Sequence, residues 1–556
     1  MDKTVKPMER FWRIIKAERQ EVRSIYIYAI FQGLVNLSLP LGIQSIINFL
    51  QAGSLSTSWY VLVMFVLAGI LLAGVLQIRQ LTVTETIEQR LFANVAFHFA
   101  QRVPRFKHES TEGRYIPEVL NRFFEVTTIQ KGISKTLLDF SAAIIQVTFG
   151  LLLLSLYNPM FVILGGLLVI TLYIIFKLTG PIGLKTSMEE SNYKFEVAHW
   201  LQEVGRSLNT FKLSGSGELP LKKTDEQTTN YLIARNNHFS ILKRQYWALI
   251  IFKVVLAASL IILGSVLVIR REINIGQFVA AEIVVLLIIS SIEKIVLNMS
   301  VVYDVLTSLD KLGSVADIKT EREDGITIPE DKNTNGLSIV VRNLTFSFPN
   351  QNQPVLNDVS FEIRSGETVC IKGEDGSGKT TLLKMLSGFY ENFGGSISFN
   401  NLPIGNLRLE ALRKMMGENF SEQEIFKGTV AENISCGRTD IELADIMQSA
   451  EQAGLAAFIQ AMPQGYNTML EPAGQSLPGS VKRKLILARC FAGNPKLLLI
   501  EDTAIGRGAE EREAFFSLLF HHCKDITTII VTNDEEVAKR CSTVYTMNKG
   551  IITKLS

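Results

Sequence analysis

Residues 373–380 read Gly-Glu-Asp-Gly-Ser-Gly-Lys-Thr, and this stretch decides how the C-terminal part of the chain folds. It fits the pattern G-x-x-x-x-G-K-[ST], a glycine-rich loop that wraps phosphate groups. A strand-like run at 368–371 precedes it and a helix-like run at 381–386 follows it, as the pattern requires. Glycines permit a tight turn, so successive backbone N–H groups converge at the N-terminus of the next helix. The stretch therefore predicts a nucleotide site.

The predicted binding set is this stretch, called the phosphate loop below, together with the residue that follows it. Lys379 provides a positive charge for the β- and γ-phosphates, and the Thr380 hydroxyl provides a ligand for Mg²⁺. ATP and Mg²⁺ are therefore the predicted cofactors. The members of the set are Gly373, Glu374, Asp375, Gly376, Ser377, Gly378, Lys379, Thr380 and Thr381.

The composition narrows the class of protein. Apolar residues make up 47% of the 556 residues and the mean hydropathy is +0.22, which indicates that much of the chain lies in lipid. The net charge of +2 is too small to favour a nucleic-acid partner, and no basic arm supports one. All five cysteines fall in the C-terminal part without ligand-like spacing, which favours reduced thiols over disulfides or zinc.

Six apolar segments are long enough to cross a bilayer, which takes about 20 helical residues. A large buried helical core does not readily explain six such runs with so few charges. The segments cover approximately 25–49, 58–80, 136–156, 160–179, 246–269 and 277–298.

The loops between these segments alternate between short and long. The long loops, 81–135 and 180–245, and the N-terminus are rich in Lys and Arg. Because cytoplasmic loops carry an excess of these residues, both termini and the phosphate loop are predicted to face the cytoplasm. Arg270 and Arg271, on a short loop, run against this rule. The chain is thus predicted to be a multi-pass protein of the cytoplasmic membrane.

A short amphipathic helix is predicted before the first span. Met8, Phe11, Trp12 and Ile15 recur at helical spacing, with cationic residues between them. Such a helix lies in the membrane interface, which makes membrane lipid a predicted partner. A solvated helix packed on the next domain is the alternative.

The predicted fold class is an all-α six-helix transmembrane domain with long cytoplasmic helical extensions, followed by an α/β nucleotide-binding domain. The two long loops are too long to be structureless, so they predict helical arms interrupted by short elements near 109–116 and 207–217. From Gly336 onward, strand and helix patterns alternate, which argues for an α/β domain. The predicted parts are an N-terminus at 1–24, the transmembrane domain at 25–310, a linker at 311–336 and the nucleotide-binding domain at 337–556.

Six spans, two long cytoplasmic arms and a phosphate-loop domain together resemble a half-transporter of the ABC exporter family, nearest to its toxin and peptide secretion branch. The resemblance covers nearly the whole chain. It implies that two such chains dimerise and that each ATP lies between the phosphate loop of one chain and the signature loop of the other. A homodimer and a heterodimer with another half-transporter both stay open, as does a periplasmic adaptor protein.

The resemblance also implies roles for residues outside the phosphate loop. Phe348 matches the aromatic residue that stacks on adenine, Glu501 the Mg²⁺-supporting carboxylate, and Asp502 the general base. Asn533 occupies the place of the switch histidine, and Ser421 that of the Q-loop glutamine, with Gln423 close by. Residues 505–508 replace the D-loop. The signature loop is Leu477, Pro478, Gly479, Ser480 and Val481.

Several of these residues depart from the family pattern. Pro478 has neither a hydroxyl nor an N–H group for the γ-phosphate. Asp502 withdraws the base carboxylate by about one C–C bond, and a misplacement of about 1 Å can cost on the order of a hundredfold in rate. Asn533 carries no positive charge. ATP binding is expected to survive these changes, and fast hydrolysis is not.

Two functions are therefore predicted. The first is a slow ATP-driven exporter subunit. The resemblance leaves its substrate open among protein, peptide, lipid and drug, and its nearest branch favours peptide or protein. The alternative is an ATP-binding, essentially non-hydrolysing subunit that regulates or gates a transporter heterodimer.

Charged residues within the spans suggest a pathway. Lys253 and Glu293 lie at similar depths in the fifth and sixth segments, and intramembrane charges usually mark cavities or pairs. We expect the two to form a pair that lines the inner vestibule. The alternative places both at the cytosolic ends of the spans, in water.

Overall fold

The computed structural model of the chain describes residues 5–51, 57–215, 217–329, 336–349, 351, 353–420, 424–502 and 509–555. Within these ranges the side chains of 162, 164, 167–169, 172 and 509–511 stand outside the description. The chain divides into two compact units. The first comprises Met1–Arg105 and Gly113–Ile318, and the second comprises Phe106–Glu112 and Lys319–Ser556.

In its described residues, the first part of the chain consists of helices joined by short connections. Its helices are α1 Pro7–Ala17, α2 Arg19–Asn36, α3 Ser38–Gln51, α4 Thr57–Arg102, α5 His108–Thr111, α6 Ile116–Asn121, α7 Glu125–Tyr157, α8 Met160–Arg206, α9 Leu208–Ser214, α10 Glu218–Ile269, α11 Ile275–Leu297 and α12 Met299–Ala316. Of these, α5 belongs to the second unit.

Five helical stretches of the described residues are long and apolar enough to cross a membrane. They are Arg19–Gln51, Thr57–Arg105, Ile116–Tyr157, Glu218–Ile269 and Ile275–Ala316. Each contains one of the predicted segments. The remaining predicted segment, 160–179, lies within α8, and several side chains there stand outside the description.

The long loops form helical arms, as predicted. Helix α4 has 46 residues, about 70 Å at the α-helical rise, against a hydrocarbon core of about 30 Å. Helices α8 and α10 have 47 and 52 residues. The short helices α5 and α9 confirm the two predicted interruptions. A polar pair is also confirmed, since Lys253 Nζ lies 2.6 Å from Glu293 Oε2.

Helix α1 divides its apolar residues between two environments. Phe11 and Ile15 pack against a buried cluster that includes Ile25, Ile129 and Leu309. Trp12 and Met8 remain 54% and 48% exposed. One side of the helix therefore packs on the protein, and the other leaves apolar surface uncovered.

The second unit is an α/β domain. Its strands are β1 Ile339–Phe346, β2 Leu356–Ile363, β3 Thr368–Lys372, β4 Gly394–Phe399, β5 Leu402–Pro403, β6 Met416–Asn419, β7 Gly428–Thr429, β8 Met469–Leu470, β9 Leu497–Glu501, β10 Thr527–Val531, β11 Thr543–Asn548 and β12 Ile551–Leu555. Its further helices are α13 Lys379–Leu386, α14 Leu409–Lys414, α15 Val430–Ser435, α16 Leu443–Gln452, α17 Ala456–Gln460, α18 Gly479–Phe491, α19 Ala509–His522 and α20 Glu535–Lys539.

Two larger sheets form this unit. An antiparallel sheet has the order β2-β1-β4-β5, and the main sheet has the order β12-β11-β3-β10-β9-β6. In the main sheet only β12 runs antiparallel to its neighbour. The first four residues of β9 are fully buried, because a parallel sheet is covered on both faces and its strands read as continuous apolar runs.

The register of the main sheet positions the site. Val531 of β10 pairs with Ile371 of β3 on one side and with Glu501 of β9 on the other. The carboxyl ends of the three strands therefore meet at one edge, and the residues that follow them converge there. Ligands bind at such an edge in open α/β sheets.

Candidate nucleotide-binding site

The phosphate loop connects β3 to α13, which confirms the predicted strand–loop–helix setting. Gly376 and Gly378 have φ angles of 79° and 103°, in the region that favours glycine. A Cβ atom on Gly378 would lie 2.9 Å from the Val355 carbonyl oxygen. The glycines are thus required by the turn, which directs backbone N–H groups toward the N-terminus of α13.

Lys379 holds its ammonium group at the loop. Its Nζ donates hydrogen bonds to the carbonyl oxygens of Gly373 at 2.7 Å and Glu374 at 2.6 Å. Burial lowers the pKa of Lys379, while the charges of Asp375 and Glu501 oppose that shift. The positive charge therefore lies where the glycine-rich backbone turns, as a phosphate-binding lysine requires.

Thr380 and Glu501 come together from α13 and the end of β9. The Thr380 hydroxyl donates a hydrogen bond to Oε1 of Glu501. A hydroxyl and a carboxylate side by side at a phosphate loop fit Mg²⁺, which takes oxygen ligands. The sequence-based assignment of these two residues as metal ligands stays a prediction.

Asp502 is closely engaged by its neighbours. Its Oδ2 accepts a hydrogen bond from the Thr532 hydroxyl at 2.6 Å and another from Nη2 of Arg512. Nη1 of the same guanidinium lies 2.9 Å from Oδ2 of Asp534. The Asp502 side chain is only 1% exposed. We call Asp502, Arg512, Thr532 and Asp534 the carboxylate clamp.

The sequence did not predict Arg512 as a residue of the site. It lies ten residues after Asp502, in α19, and no pattern in the chain links it to the phosphate loop. Only the packing of α19 beside the carboxyl ends of β9 and β10 brings it into the site.

Asn533 follows β10 and reaches the first residue of the phosphate loop. Its Oδ1 accepts a hydrogen bond from the Gly373 N–H at 3.0 Å. The residue in the switch-histidine position is therefore tied to the loop backbone within the chain.

A cavity of about 780 Å³ collects most of the predicted residues. Phe348 lines it while its ring also packs against Phe346 and Tyr390, with centroids 5.2 Å and 6.0 Å away. Phe348 thus both packs against the core and lines the cavity. The predicted residues that line the cavity are Phe348, Asp375, Gly376, Gly378, Lys379, Thr380, Thr381, Glu501, Asp502 and Asn533.

The signature loop lies elsewhere in the unit. None of Leu477–Val481 is among the residues that line the cavity. Pro478 precedes the first residue of α18 with extended backbone angles, and Leu477 and Val481 pack against a separate buried cluster. Ser421, Gln423 and 505–508 lie outside the described residues.

Helix α5 is anchored within the second unit by one acidic residue. The Glu109 carboxylate accepts hydrogen bonds from the backbone N–H groups of Glu391 at 3.0 Å and Asn392 at 3.1 Å. Lys107 Nζ lies 2.6 Å from the Glu391 carboxylate. A piece of the first long loop is thus part of the α/β unit.

Two regions match known families. Residues 24–292 match the family described as ABC transporter transmembrane region, and residues 356–504 match the one described as ABC transporter. Together the two regions cover well over half of the chain.

Curated relatives carry transporter names. A probable multidrug resistance ABC transporter ATP-binding/permease protein, YheI, of Bacillus subtilis is 29% identical over 291 residues, 52% of this chain and 49% of that one. The alpha-hemolysin translocation ATP-binding protein HlyB of Escherichia coli O157:H7 is 26% identical over 358 residues, 64% of this chain and 50% of that one. The chain thus aligns over about half the length of these relatives.

A solved structure shares the fold. It is a bacterial Atm1-family ABC exporter with ATP bound. It superposes with a TM-score of 0.82 at 18% identity, over 96% of this chain and 94% of that one. The fold class predicted from the sequence, a helical transmembrane domain followed by an α/β nucleotide-binding domain, is confirmed. The chain belongs to the ABC transporter family, as a transmembrane region fused to an ATP-binding domain in the arrangement of an exporter half-transporter.

Proposed function

We propose that this chain is one half of an ABC exporter that couples ATP binding and slow ATP hydrolysis to the export of a substrate. The observation that carries the proposal is the convergence of Lys379, Glu501, Asp502 and Asn533 at one sheet edge. The same polypeptide supplies the membrane region that such a motor must move.

In the proposed site, adenine stacks on Phe348 and the phosphates rest on the loop N–H groups and the Lys379 ammonium. Thr380 and Glu501 would hold Mg²⁺, which would neutralise charge on the phosphates. A water adds to the γ-phosphorus, the bond to the β,γ-bridging oxygen breaks, and ADP leaves. The proton of that water passes to the Asp502 carboxylate.

A second half-transporter is part of the proposal, since ABC half-transporters generally dimerise. The signature loop lies outside the cavity of its own chain, which suits a surface that completes the site of a partner. Both a homodimer and a heterodimer satisfy this arrangement. A periplasmic adaptor is a further proposed partner, and lipid contact through the exposed Trp12 and Met8 is another.

The proposed location is the cytoplasmic membrane, with both termini and the ATP site in the cytoplasm. The Lys and Arg content of the long loops supports this orientation. For the substrate, the names of the relatives point to two classes, drugs and a secreted protein toxin. A peptide or protein substrate follows the secretion branch. None of the relatives named here is described as a regulatory subunit, so export is the function we put forward.

ATP binding that depends on Lys379 tests the proposal. In purified full-length protein, Lys379→Ala is expected to weaken binding of a fluorescent ATP analogue tenfold to a hundredfold, because charge-assisted hydrogen bonds contribute about 1.5–3 kcal/mol each. Lys384→Ala is the matched control, since Lys384 lies on the same helix but does not line the cavity. Equal saturable binding by wild type and Lys379→Ala would contradict the proposal.

A further inference from the structure

The carboxylate clamp joins the edge of the main sheet to α19. The Arg512 guanidinium is held there by two carboxylates and a hydroxyl, from Asp502, Asp534 and Thr532. Hydrogen bonds between ionised groups are the stronger kind, so these contacts fix both Arg512 and Asp502.

The clamp occupies one of the two carboxylate oxygens of the proposed general base. Oδ2 of Asp502 already accepts hydrogen bonds from Arg512 and Thr532, and the side chain is almost completely shielded from solvent. A general base must lie within about 2.6–3.2 Å of the group whose proton it takes, or act through one water. Protonation of this oxygen would also disrupt a charge-assisted hydrogen bond, the stronger kind.

Asp534 provides a second ion-pair partner for the Arg512 guanidinium. Asp534 begins α20, and its other oxygen, Oδ1, accepts the N–H groups of Glu536 and Val537. Its position is thus fixed by the backbone and does not depend on Arg512. When Asp502 is released, Arg512 can remain paired with Asp534.

We infer that Arg512 is a positioning residue that restrains Asp502 and thereby slows ATP hydrolysis in this chain. The inference rests on the proposed function and identifies what limits the rate of ATP hydrolysis. The clamp, and not only the shorter side chain of Asp502, limits turnover. Arg512 also lines the cavity, but its two terminal nitrogens are engaged by Asp502 and Asp534, so in this scheme it does not hold the nucleotide.

The test compares turnover with nucleotide affinity in purified full-length protein. Arg512→Gln removes the charge and is expected to raise kcat about tenfold, the effect of losing one hydrogen bond to a charged group, with KM for ATP unchanged. Arg512→Lys retains the charge but not the two-point contact, so its kcat is expected to lie between those of wild type and Arg512→Gln. Adding Asp502→Asn to Arg512→Gln is expected to abolish the gain.

Arg540→Gln is the matched control. Arg540 pairs with Glu513 of α19 at 3.2 Å and does not line the cavity, so its loss is expected to leave kcat unchanged. If Arg512→Gln fails to fold, Arg512→Met replaces it, because methionine fills a similar volume without burying an amide. Arg512→Met is expected to show the same rise in kcat. The thermal unfolding midpoint of each variant is recorded alongside.

Two outcomes would overturn the inference, and they differ in what they leave standing. If kcat in the folded Arg512→Gln or Arg512→Met protein is equal to or below wild type while the ATP analogue still binds, the clamp does not restrain hydrolysis and the exporter proposal survives. If no variant and no wild-type sample binds the analogue saturably, the proposed function itself falls and the inference with it.

Discussion

Asn533 has a structural role in the site, because it holds the backbone of the phosphate loop. Its side-chain oxygen accepts the N–H of Gly373, so it links the loop after β10 to the first residue of the phosphate loop. An amide also lacks the positive charge of the histidine that the family has there. In this chain the residue is therefore better suited to holding the loop than to stabilising phosphate charge.

Replacing Asn533 separates these two roles. Asn533→Ala removes the acceptor, which costs about 1 kcal/mol, so we expect hydrogen exchange at residues 368–376 to accelerate roughly fivefold. Asn533→Asp keeps the acceptor and is expected to exchange as wild type does, while its negative charge weakens ATP binding. Unchanged exchange in Asn533→Ala would show that the hydrogen bond does not hold the loop.

At the scale of elements, α18 begins without a capping side chain. Pro478 holds the N-cap position with φ of −57° and ψ of 146°, and no side chain caps the helix. A serine at an N-cap accepts a backbone N–H and stabilises a helix by about 1 kcal/mol. The same serine would supply the hydroxyl that the resemblance places near the γ-phosphate.

Pro478→Ser is accordingly expected to slow hydrogen exchange in the first turn of α18 and to raise the ATPase rate. Pro478→Ala restores the N–H group without a hydroxyl, so the difference between the two variants isolates the hydroxyl. If both variants hydrolyse ATP at the wild-type rate, the signature loop is not what limits turnover.

The ion pair between Lys253 of α10 and Glu293 of α11 leads to a separate prediction. The side chains of Lys253 and Glu293 are 28% and 39% exposed. If both charges lay in water, the coupling free energy between them would be small. In a double-mutant cycle with Lys253→Met and Glu293→Gln, we expect a coupling free energy of about 1 kcal/mol in unfolding. The midpoint of thermal unfolding in lipid nanodiscs measures it, and additive effects would argue for two solvated, independent charges.

At the scale of the whole molecule, the proposed orientation in the membrane rests on loop charge. With the five native cysteines replaced by alanine, Arg270→Cys, on the short connection after α10, is expected to react with a membrane-impermeant maleimide in intact cells. Leu213→Cys on α9 is expected to react only in inverted vesicles, since this exposed residue lies in a long loop predicted to be cytoplasmic. The reverse pattern would invert the proposed topology.

The sequence alone determined the features that depend on local pattern. The phosphate loop, the apolar spans and the alternation of strands and helices are each written in consecutive residues, because turn geometry, hydrophobic length and periodicity act over short distances. Even the pairing of Lys253 with Glu293 could be predicted, since few charges lie within the spans.

The contacts among the residues of the site depend on how distant parts of the chain pack together. Parallel pairing of β3, β10 and β9 brings Gly373, Asn533 and Asp502 to one edge, although more than a hundred residues of chain separate the phosphate loop from the other two. The contact of Arg512 with Asp502 depends on where α19 packs, which no local signal encodes. Long-range packing therefore set the electrostatics around Asp502, whereas short-range sequence set the binding loop.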